Sequence, residues 1–110
     1  MAQMTGKTDI SKDLAFLGGK RREMTDRLRA WCAINTGSAN LEGLAAMHGA
    51  LKDGFSSLGA EVETVPSAPQ TVVTAAGEVI ERRLGDCLRI VTRPQAPVRV
   101  LLAGHMDTVF

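Results

Sequence analysis

The residues Val98-Arg99-Val100-Leu101-Leu102-Ala103 form an apolar run of strand length that ends at Gly104, with His105 and Asp107 directly behind it. A run that is apolar at nearly every position suits a strand covered on both faces, because a half-exposed strand alternates instead. The run therefore predicts an α/β architecture with 98–103 as a central strand and helices over the sheet. Open sheets of this kind hold ligands in the loops at the carboxyl ends of their strands, which makes His105 and Asp107 the expected place for chemistry.

Upstream, helix signals come first. Residues 1–19 read as a flexible leader: the first ten are polar and without periodicity, and Ser11 caps a short turn that Gly18-Gly19 ends. Met24, Leu28, Trp31 and Cys32 then recur at helical spacing and predict an amphipathic helix over about 20–34. Asn40 is a good N-cap for a second helix over about 41–58, where Leu44, Met47, Leu51, Phe55 and Leu58 make the apolar stripe and Gly59 the left-handed stop. His48 lies beside that stripe with no coordinating partner at helical spacing and reads as structural.

The remaining elements are strands. Residues 60–65 alternate and suit a half-exposed strand near an edge, closed by Pro66 and Pro69. Val72-Val73 and Val79-Ile80 form either short strands around an Ala76-Gly77 turn or an excursion over the surface. Residues 86–92 predict a further strand, joined through Pro94-Gln95-Ala96-Pro97 to 98–103 as a hairpin-like pair.

Charge and cysteine usage narrow the function classes. Thirteen basic and twelve acidic side chains leave a net charge of +1, and the longest basic run, Lys20-Arg21-Arg22, is too short for a nucleic-acid patch. No stretch approaches the roughly 20 apolar residues of a membrane span, and Asp9 and Asp13 interrupt any secretory signal, so a cytoplasmic protein with no nucleic-acid or membrane partner is expected. Cys32 and Cys87 each sit in an apolar segment, as reduced core thiols would.

The stretch Leu101-Leu102-Ala103-Gly104-His105-Met106-Asp107-Thr108-Val109 resembles the first metal-site motif of the M20 family of zinc-dependent peptidases and amidohydrolases. The order of elements before it agrees: a helix ending near Trp31, then Thr36-Gly37-Ser38, Asn40, Gly43-Leu44 and a second helix to Leu58-Gly59-Ala60 are similar to the opening of the glutamate carboxypeptidase (carboxypeptidase G2-like) branch. The likeness spans roughly 20–110. It implies the N-terminal portion of a three-layer αβα zinc-exopeptidase-like catalytic domain with an incomplete sheet. It also implies that His105 is a zinc ligand and Asp107 a supporting residue usually counted as catalytic. Two zinc ions are expected in the complete enzyme, acting on a small peptide or N-acyl amino acid, with a homodimer as the form of the parent.

Elementary chemistry supports the pairing. A neutral imidazole ligates zinc through one nitrogen, and a nearby carboxylate can hold the proton of the other. Catalytic zinc needs three protein ligands and an open position, so the 110-residue chain is expected to be inactive alone, the rest of the site following Phe110. Two alternatives stand beside the carboxypeptidase reading: an N-acyl amino acid deacylase of the same fold, and a non-catalytic small α/β binding module.

Overall fold

The computed structural model describes residues 8–109, which form a mixed α/β arrangement of three α-helices, a short 3-10 helix and four strands. The chain divides after Cys32 into two compact units. Residues 1–7 of the expected leader lie outside the described residues.

The first unit holds α1 (Ser11–Gly19) and α2 (Arg21–Cys32). Ser11 is the first residue of α1 rather than its cap: the N-cap position is Ile10, without a side-chain cap bond, and Asp9 Oδ1 accepts from the Ser11 amide at 3.0 Å, one of the donors a helix start leaves free. In α2, Glu23 binds Lys20 at 3.0 Å and Arg27 at 3.3 Å, spacings that place these groups one turn apart. The predicted apolar stripe forms, yet Met24 and Leu28 remain exposed. Leu17, Met24, Leu28 and Trp31 line an open cleft instead, since two helices of nine and twelve residues are too short to enclose them. Cys32 is a free, exposed thiol rather than a core residue.

In the second unit α3 (Leu41–Phe55) starts as expected, with Asn40 Oδ1 accepting from the Gly43 amide at 3.0 Å. A 3-10 turn (Ser56–Leu58) extends it to Gly59, whose φ of 59° is the left-handed conformation that glycine adopts without steric cost. β1 (Glu61–Val65) pairs antiparallel with β4 (Cys87–Val91), bringing Glu63 opposite Arg89 with 3.2 Å between their charges. β2 (Gln70–Val73) and β3 (Val79–Arg82) form a separate hairpin around Gly77, which resolves the two readings of that region in favour of strands. The core is small. Leu44 of α3, 7% exposed, packs over Gly85, where an added Cβ would lie 3.1 Å from the Leu44 side chain.

The largest departure from expectation is 98–103, which forms no strand. Leu101 is 89% and Leu102 90% exposed, and β4 pairs with β1 instead of with this run. The reason is physical: a strand apolar on both faces is stable only with neighbours along its edges and layers over its faces, and no described strand pairs with it. Cys87 is likewise an exposed free thiol, on the face of β4 opposite the partly covered Leu88 and Ile90. No helix among the described residues is long and apolar enough to cross a membrane.

Candidate functional site

Although 98–103 is open, the residues behind it are held in place. The Thr108 amide donates to the Thr36 carbonyl at 2.9 Å, and the hydroxyls of the same two residues lie 2.6 Å apart. Thr36 is only 3% exposed and is the buried polar residue among those described. Two bonds to one residue fix both the position and the direction of the 105–108 segment.

Thr36 is in turn placed by the start of α3. Asn40 Nδ2 donates to the Asn35 carbonyl at 3.1 Å while its Oδ1 caps the helix, so one amide side chain joins the loop to the first helical turn. The approach requires glycine at position 43, because a Cβ there would overlap the Asn35 carbonyl oxygen.

Both site residues predicted from the sequence meet on this segment. His105 Nδ1 lies 2.7 Å from the Asp107 carbonyl oxygen and 3.1 Å from Asp107 Oδ1. A carbonyl oxygen only accepts, so Nδ1 carries the proton and donates. In the neutral ring the lone pair then belongs to Nε2, on a side chain 82% exposed. The other carboxylate oxygen, Oδ2, accepts from Ser38 Oγ at 2.7 Å. Asp107 is held below the usual carboxylate range by the Ser38 hydroxyl first, against a smaller opposing cost of burial, and then by His105. An anionic carboxylate behind an imidazole raises the basicity of the far nitrogen, which is the arrangement a metal ligand requires.

His105 thus offers one donor nitrogen, with the proton held on the other. Among the described residues no group of three or more His, Cys, Asp or Glu side chains is placed to hold a metal ion. His48 is elsewhere in the unit, with Nε2 3.3 Å from the Thr64 hydroxyl, in keeping with its structural reading. Thr36 and Ser38 were not singled out for a role by the sequence. Their only signal was the Thr36-Gly37-Ser38 turn ahead of a capped helix, and they lie 72 and 69 residues from the groups they hold. Comparison of the chain with family models, with curated proteins and with solved structures finds no match.

Proposed function

We propose that His105 and Asp107 are the first part of the metal site of a zinc-dependent hydrolase, and that this chain is the N-terminal portion of its catalytic domain. The observation that carries this reading is the His105 ring itself: Nδ1 is engaged by Asp107, and Nε2 is left exposed with a lone pair. His105 would hold the ion through Nε2. Asp107 would keep the proton on Nδ1 and the ring in orientation, its own oxygens being occupied by Ser38 and His105. Zinc, when bound, polarises a scissile carbonyl and lowers the pKa of a bound water to about 7.

One histidine is one ligand, so the remaining donors, the general base and any second zinc belong to residues outside this chain. The same residues would supply strands beside 98–103 and complete a three-layer αβα domain of the M20 zinc-exopeptidase type. The substrate class is a peptide or amide bond of a small molecule, a C-terminal glutamate or an N-acyl amino acid, and a homodimer is the proposed form of the parent.

The test uses the longer polypeptide of which this chain would form the start. His105→Ala should lose metal by mass spectrometry and drop hydrolysis of an N-acyl glutamate by orders of magnitude. Asp107→Ala should keep most of its zinc at saturating metal yet turn over about 10- to 100-fold more slowly. Full metal content and near-normal turnover in His105→Ala would return His105 to a purely structural role.

A further inference from the structure

We infer that Ser38 is a positioning residue for the His105 site, acting through the Asp107 carboxylate to add to the bias that keeps the imidazole proton on Nδ1. The inference rests on the metal-site reading for its use but not for its geometry. Ser38 Oγ donates to Asp107 Oδ2 at 2.7 Å, while Oδ1 of the same carboxylate lies 3.1 Å from His105 Nδ1. A carboxylate gripped at one oxygen has its rotation limited, and the other oxygen is then presented to the ring. Charge-assisted bonds of this kind are shorter and about twice as strong as neutral ones, so the serine contact is a firm grip on an otherwise mobile side chain.

The residues on either side of Ser38 are hydrogen-bonded in place. Thr36, two residues earlier, is buried and bonded twice to Thr108, and Asn40, two residues later, caps α3 and holds the Asn35 carbonyl. Ser38 therefore stands between two anchored positions while its own side chain remains on the surface. Losing its hydroxyl removes a bond without opening a core. Asp107 would then be free to turn away from the ring, and the proton on Nδ1 would keep only the backbone carbonyl of Asp107 as its acceptor.

The consequence is a shift in tautomer. With one of its two acceptors gone, the Nδ1 proton is held by the carbonyl alone, so part of the population takes the tautomer that a free imidazole favours, with the proton on Nε2 covering the lone pair that a metal needs. Ser38→Thr retains a hydroxyl at the same branch point and should preserve the arrangement.

The test is ¹⁵N-resolved NMR of the imidazole rings of the full chain, without metal, at a pH well above the ordinary histidine value of about 6.5. His105 should show the proton on Nδ1 in the unsubstituted chain and in Ser38→Thr. In Ser38→Ala a substantial fraction should move to Nε2, while the amide shifts of α3, β1 and β4 and the ring of His48 stay as they were. An unchanged His105 tautomer in Ser38→Ala would overturn the inference, and so would a shift of equal size in Ser38→Thr. Adding zinc separates this from the metal-site reading. If zinc leaves Nε2 of the unsubstituted chain untouched while the tautomer still depends on Ser38, the metal reading fails and the positioning role stands.

Discussion

The hydroxyls of Thr36 and Thr108 lie 2.6 Å apart across 72 residues of sequence, and the Thr36 carbonyl accepts the Thr108 amide at 2.9 Å. This pair, rather than a strand, fixes where His105 and Asp107 stand. The run at 98–103 is exposed, while the segment behind it is bonded to the loop that leads into α3.

Thr36→Val keeps the shape of the side chain and deletes its hydroxyl, leaving the Thr108 hydroxyl without that partner. Because Thr36 is buried, urea unfolding should show a loss of about 1 kcal/mol, the usual net value of a hydrogen bond. Hydrogen exchange at the Thr108 amide should also quicken. An unchanged midpoint together with unchanged protection at Thr108 would mean that the clamp carries no weight.

Two glycines of α3 should respond to alanine with opposite signs. At Gly49 an added Cβ meets nothing within 4 Å, so Gly49→Ala should stabilise by up to about 1 kcal/mol through helix propensity. At Gly43 the same methyl overlaps the Asn35 carbonyl, so Gly43→Ala should destabilise by about 1–3 kcal/mol, the range for forcing a group into filled space. Thermal melts of the two variants side by side would show it, and a Gly43→Ala chain more stable than the parent would refute the close approach of the 35–38 loop to α3.

The start of α1 should weaken in acid. Asp9 is held below its ordinary carboxylate value by its bonds to Ser11, so its folded-state pKa is the lower one. The stabilisation is therefore fully present above pH of about 4 and is lost as pH falls through the folded value. Carbonyl NMR shifts of residues in α1 should follow the titration of the Asp9 carboxylate, and Asp9→Asn, which cannot titrate, should flatten the response.

Much of the local structure was legible in residue order, because its causes are local. Asn40 caps α3, Gly59 stops it in the left-handed region, and the alternation of 60–65 becomes the strand β1, although Val62 alone of its residues is partly covered. The pairing of His105 with Asp107 was legible for the same reason, being a contact over two residues. What escaped is set by distant parts of the chain. The apolar pattern of 98–103 reads as a strand covered on both faces, whereas the run forms no strand and lies exposed, because pattern carries no information on what would cover it. The pairing of β4 with β1 in place of 98–103 depends on a choice between partners that pattern alone does not rank. Ser38 and Thr36 gained their roles only when folding brought them to Asp107 and Thr108. Ser11, a good cap by type, lies one position inside α1 instead, and its amide is met by Asp9, because cap preference alone does not set the first residue of a helix.

The central claim is that His105 is built to donate Nε2 to a metal, and a zinc titration of the chain followed by imidazole ¹⁵N resonances tests it most directly. Zinc should move Nε2 of His105 first and leave its Nδ1 protonated, with weak affinity and no saturation at micromolar metal, as one protein ligand implies. The response should vanish in His105→Ala and fade in Asp107→Ala. Zinc that acts at Nδ1, or that perturbs His48 while His105 stays unmoved, would contradict the account.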